Sequence, residues 1–177
     1  MTPEEKKLHE MHERNFANYG FLTEIQAGAL CLYEEARNQP YEGRVAQPTV
    51  LLNRARLQHC CKPVIVINGV SRPIPLIVDA VIWPVQFSWT LETDPEHADS
   101  LLLAKILATG RMGDQVLSDC YDLFSCLKTG KLPLDQDLVR ANCVEYLNPE
   151  ACPDAYQERL DHCMKVLKRI KDHVFLV

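Results

Sequence analysis

Glu34 and Glu35 are the residues whose type and setting first suggest chemistry. Adjacent residues on a helix point about 100° apart, so the two carboxylates cannot serve one bond together. With Ile25 at zero, Ala29, Leu32 and Ala36 fall within roughly 40° and form the stripe expected to be buried. Glu34 then lies at about 180°, on the far face, while Glu35 lies about 80° off the stripe, next to Gly28. A carboxyl at the edge of a core loses hydration, which penalises its charged form and raises its pKa. An acid titrating near neutral pH can give a proton and take one back, as general acid–base catalysis requires. The same spacing also suits a boundary glutamate paired with Arg37 or Arg54.

Further along the chain lies a run of polar and aromatic side chains. Gln86 and Ser88 sit in the aromatic run Trp83-Pro84-Val85-Gln86-Phe87-Ser88-Trp89. They are polar groups free to hydrogen-bond a ligand or to cap the following turn. Trp89 is a candidate to stack on a ligand, whereas Trp83 is expected in the core. Tyr146 reads as a site residue or as a core tyrosine with a bonded hydroxyl. Arg37, Asn53 and Arg54 are expected to support the helix pair rather than touch substrate, and His173 to be packed and hydrogen-bonded. The eight cysteines and six histidines contain no Cys-x-x-Cys and no His-Glu-x-x-His, and neighbouring Cys60-Cys61 suit zinc badly. No metal and no cofactor is expected. The thiols read as reduced, mostly buried small hydrophobes, with a bridge from Cys143 or Cys152 to Cys163 open in an oxidising setting.

These groups need elements to hold them. Thr23-Glu24-Ile25-Gln26 has the form of a capping box, predicting a helix over 24–37 that Asn38-Gln39-Pro40 stops. A second helix is predicted over 42–57, where Pro48 is awkward because proline breaks a helix interior. Residues 3–16 form a charged, peripheral helix broken by Asn18-Tyr19-Gly20. Val64-Ile65-Val66-Ile67-Asn68-Gly69-Val70 is β-rich and carries the strongest short hairpin turn signal, Asn-Gly. A short apolar helix is expected over 77–82, with further helices over 96–109, 115–128 and 155–171. On the last of these, Lys165-x-x-Lys168-Arg169-x-Lys171 reads as a solvated basic face. Residues 142–153 are expected as loop or short strand. The sum is an α+β chain, mainly helical, with a small hairpin. It is expected to be one domain, 1–177, with a peripheral segment 1–20 and a β-rich insertion 58–76.

The wording around Glu35 resembles the SleB-type cell wall hydrolases, the spore cortex-lytic enzymes and their phage relatives. That family's pattern is roughly Glu-Ala-Arg-Gly-Glu-Pro, a Gly three residues later, and Asn-Arg ten residues beyond it. Here Glu35, Ala36, Arg37, Pro40, Gly43, Asn53 and Arg54 match, while Asn38-Gln39 replace Gly-Glu. Gln86-Phe87-Ser88 is similar to the family's Gln-Phe-Ser loop. Asn142-Cys143-Val144-Glu145-Tyr146-x-Asn148 is similar to its Ala-Thr-His-Tyr-x-Asn segment, with Glu145 in place of His. Ile170-Lys171-Asp172-His173-Val174-Phe175 is similar to the closing Ile-Gly-x-His-x-Phe, with Lys171 in place of Gly. The motifs keep their order over residues 27 to 177.

The resemblance implies a lysozyme-like fold and lytic transglycosylase activity on peptidoglycan glycan strands. Glu35 would be the catalytic acid, and Gln86, Ser88, Tyr146, Glu145 and Trp89 would face substrate. Two alternatives stand beside it. One is a true hydrolase with Glu145 or Asp79 as second carboxylate; the other is a non-catalytic virion component of the same fold.

Composition narrows the classes further. The 177 residues carry 19 basic and 24 acidic side chains, a net charge of −5, with no basic block of the kind phosphate attraction needs. No general nucleic-acid binding is expected. The charged start Met1-Thr2-Pro3-Glu4-Glu5-Lys6-Lys7 lacks a secretory signal, and no apolar run is long enough to span a bilayer. The chain is expected in the cytoplasm when made, without membrane insertion. It would reach the wall by holin release or as part of a virion, alongside other phage lysis or virion proteins.

Overall fold

The structure is a computed structural model that describes residues 2–84, 86–162 and 164–177. Cys163, named above as a bridging candidate, lies outside the described residues. Helix α1, Pro3–Tyr19, opens on a capping box: the Thr2 hydroxyl accepts from Glu5 N while Glu5 accepts from Thr2 N. It runs one turn beyond its expected end because Tyr19 is drawn fully into the core. Helix α2, Glu24–Ala36, begins as predicted, with Thr23 and Gln26 capping each other. Helix α3, Tyr41–Leu57, starts directly after Pro40 and contains Pro48 in its interior.

Helix α2 is the central element. It packs against α3 and three helices that follow: α4, Leu76–Ile82; α5, His97–Thr109; and α6, Gln115–Lys128. Six consecutive residues, Ala27 to Leu32, are buried, so the single-stripe reading of this helix is corrected: a helix surrounded by others buries more than one face. Gly28 is part of the reason. A Cβ there would overlap the Phe124 ring of α6, so the glycine lets two helices approach closely and is not open space beside Glu35. Phe124 belongs to the series Leu117, Cys120, Phe124 and Leu127, all buried on one face of α6.

Strands β1, Val64–Ile67, and β2, Val70–Pro73, form the predicted hairpin. Asn68 and Gly69 both take positive φ, +50° and +76°, as a two-residue turn matching strand twist demands. A 3₁₀ turn, Ser88–Thr90, follows α4. A short helix α7, Gln136–Arg140, capped by Asp135, was not anticipated.

The C-terminal helix expected over 155–171 is corrected. Helix α8 covers only Pro153–Asp161, and the chain continues as β4, Val166–Ile170, and β5, His173–Leu176. With β3, Glu145–Leu147, these make an antiparallel sheet in the order β3-β5-β4. Val166, Leu167 and Ile170, then Val174, Phe175 and Leu176, suit a pleated, half-buried surface. Lys171 makes the turn between them at φ +48°, the left-handed region that glycine prefers. The basic run is therefore not one helix face, and Lys168 pairs with Asp135 at 2.7 Å.

The fold is α+β and mainly helical, with two small sheets. A large apolar cluster surrounds α2, and a smaller one joins Ala46 and Val50 of α3 to Leu138, Cys143, Ile170 and Phe175. Tyr146 packs against both. No helix is long and apolar enough to cross a membrane among the described residues.

Candidate active site

Glu35 lies in the last turn of α2 and is walled in by protein while keeping partial access to solvent. Its Oε1 accepts from Trp89 Nε1 at 2.9 Å and its Oε2 from the Tyr146 hydroxyl at 3.2 Å. Burial pushes the carboxyl pKa up to about 7, against the opposing pull of those two hydrogen bonds and of the Arg54 charge. The 86–89 segment, through Trp89, and β3, through Tyr146, thus meet across one carboxylate.

Arg54 ties these two segments together. It is 1% exposed; its Nε donates to Val144 O at 2.6 Å, just ahead of β3. Its terminal nitrogens donate to Gln86 at 3.1 and 3.2 Å, in the amide orientation that satisfies both groups. The guanidinium also lies over the Phe87 and Tyr146 rings at 5.7 and 5.8 Å. Neighbouring Asn53 donates to Leu138 O and Cys143 O, both at 3.0 Å, and so fixes the chain entering β3. Asn53 and Arg54 act as the supports that the sequence suggests.

Several expectations are corrected by this geometry. Trp89 is 2% exposed, edge-on to Tyr19 and stacked with Phe87, so it has no face for a sugar; it positions Glu35. Trp83, expected in the core, is the more accessible tryptophan and lies beside His12 and Lys62. Glu34 is not on a solvent face. Packing of α5 buries its side chain to 4% exposure, where it accepts from Ser100 Oγ at 2.6 Å and Arg37 at 3.0 Å. Arg37 therefore supports Glu34, with Glu96 as a second partner at 3.7 Å, and makes no bond to Glu35.

Glu145 precedes Tyr146 on β3, and successive strand residues face opposite ways. It turns to His59 and Arg159, at 3.4 and 3.8 Å. The charges acting on Glu35 are those of Arg54 and Glu34. Asp79 is fully buried, with one oxygen on His12 Nε2 at 2.8 Å and the other on Lys62 N at 2.6 Å. Ser88 stands exposed on the 3₁₀ turn, Gln86 is half-buried, and His173 packs edge-on against Tyr146 with burial lowering its pKa.

Sequence reasoning missed Gln47. It is fully buried; its Nε2 donates to Cys31 Sγ at 3.0 Å and lies 3.4 Å from the Tyr146 hydroxyl. The available signal was a polar side chain amid the apolar run of α3, directly before the mid-helix proline. Among the described residues no three His, Cys, Asp or Glu side chains gather as metal ligands would. Comparison with protein-family models, curated proteins and solved structures finds no match to this chain.

Proposed function

We propose that this chain cleaves the MurNAc–GlcNAc β-1,4 bond of peptidoglycan as a lytic transglycosylase, with Glu35 as its acid and base. The observation that carries the reading is a partly accessible carboxyl, pushed up to about 7 by burial, with each oxygen held by a neutral donor. Each oxygen keeps a lone pair beyond those two bonds. The protonated carboxyl gives its proton to the glycosidic oxygen as the C1–O bond breaks. Its carboxylate then takes the proton of the muramic 6-hydroxyl while that oxygen closes on C1. The acid is regenerated and no water enters.

A hydrolase of the two-carboxylate type would need a second acid across the scissile bond. Glu145 and Asp79, the two candidates, are engaged with His59 and Arg159 and with His12 and Lys62. The one-carboxyl scheme therefore fits better. The resemblance to SleB-type enzymes supports the same substrate, Gln86 and Ser88 standing as its contacts on the accessible side of the loop. In that setting the chain would act as a phage endolysin released through a holin, or as a virion-borne lysin.

Digestion of purified sacculi followed by mass spectrometry of the soluble muropeptides tests the reading. Expected are 1,6-anhydro-muramic ends, lighter than reducing ends by one water. Glu35→Gln should fold normally and lose about 10²–10⁴-fold in rate, while Glu34→Gln should cost stability and leave turnover largely intact. Reducing ends alone would make the enzyme a hydrolase, and an active Glu35→Gln protein would remove the site.

A further inference from the structure

A cleft of about 480 Å³ opens between α1 and the β1–β2 hairpin, walled by Trp83 and Pro84 at its base. That volume lies in the range of small-ligand sites. Its construction is not that of an accidental gap. The buried Asp79 carboxylate holds His12 Nε2 with one oxygen and the backbone of Lys62 with the other. The buried acid thus fixes the His12 ring, 5.1 Å from Trp83 between ring centroids, and the backbone of Lys62, whose Nζ lies 5.9 Å from the centre of the Trp83 ring. Around the mouth, Leu8, Val64 and Val66 leave large apolar side chains 39%, 46% and 40% exposed. They give the polar, aromatic pocket an apolar rim.

We propose that this cleft is a second binding site for an amino-sugar glycan, engaging the strand away from the scissile bond. The choice of occupant rests on the transglycosylase reading above. A hexosamine unit has an apolar C–H face for the indole and valine wall, with hydroxyl and acetamido groups for His12, Glu5 and His9. Lys62 supplies a donor for the hydroxyl and carbonyl oxygens of the sugars. Cleft and acid are neighbours along the chain: Trp83 and Pro84 wall the cleft, while Gln86 and Trp89, a few residues on, reach Arg54 and Glu35.

Co-sedimentation of Glu35→Gln protein with purified sacculi reads binding without turnover, and chitotetraose titration followed by tryptophan fluorescence reads the glycan alone. Trp83→Ala removes the fluorescent reporter together with the anchor, so it is read by co-sedimentation, which should weaken by about fivefold or more, as removal of an aromatic anchor does. Val66→Arg changes an exposed residue that lines the cleft, so it blocks the site without removing core contacts and should give the same loss. Unchanged binding in both folded variants overturns the cleft, whatever the enzyme does. Should Trp83-dependent binding persist in a chain that, with Glu35 intact, releases no muropeptides, the cleft stands and the transglycosylase reading fails.

Discussion

Desolvation and hydrogen bonding pull the Glu35 carboxyl in opposite directions, and desolvation prevails enough to bring its pKa from the ordinary 4.5 to about 7. The sign for stability follows. Below pH 4.5 the carboxyl is protonated in both folded and unfolded chains and costs nothing. Between 4.5 and 7 the unfolded chain ionises while the folded one resists, so stability falls as pH rises, by about 3 kcal/mol in full. Glu35→Gln should therefore raise the melting temperature at pH 8 and leave it unchanged at pH 4; equal effects at both would show that Glu35 is not desolvated. Trp89 and Tyr146 act the other way, since their donors favour the ionised form. Tyr146→Phe should move the falling limb of the pH–rate profile to higher pH, by several tenths to about one unit. Activity against sacculi across pH 5–9 reads this directly.

Helices α2 and α6 touch where Gly28 admits the Phe124 ring, and that approach sets how α2 presents its last turn. Gly28→Ala would place a methyl inside the ring, so we expect overpacking to cost about 1–3 kcal/mol despite the better helix propensity of alanine. Urea unfolding measures it, and Phe124→Leu in the same chain should return part of the loss. The Asn53-Arg54 pair shows how far such a role is legible. Its place on α3 is plain from the sequence, and so is its likeness to a supporting motif. Which carbonyls it holds is not, because Leu138, Cys143 and Val144 lie some 85 to 90 residues away. Only assembly of α7 and β3 against α3 brings them within reach.

The molecule has two apolar clusters, but α3 and Tyr146 contribute to both. Arg54 also links the loop of one to the strand of the other. Neither cluster can come apart without breaking bonds that hold Glu35, so we expect one cooperative unfolding transition. Far-UV circular dichroism and tryptophan fluorescence should melt together, because Trp89 sits at the junction. Separate midpoints would show the C-terminal sheet to be an independent unit.

Signals confined to a few residues were settled by the sequence itself: the capping box at Thr23, the Asn-Gly turn and the bounds of α6. Such features depend on backbone geometry and on side chains three or four positions away, whatever packs around them. Burial was decided elsewhere. Whether Glu34 meets water depends on α5, whether Trp89 or Trp83 is enclosed depends on Tyr19 and α4, and where Glu145 turns depends on β3 pairing with β5. The strands at the end of the chain are the clearest case. Residues 166–170 look helical in isolation, and become a strand because β5 offers a ladder on one side while β3, some 30 residues earlier, occupies its other edge. Pairing partners and enclosing faces are properties of distant segments, so only the tertiary structure could fix them.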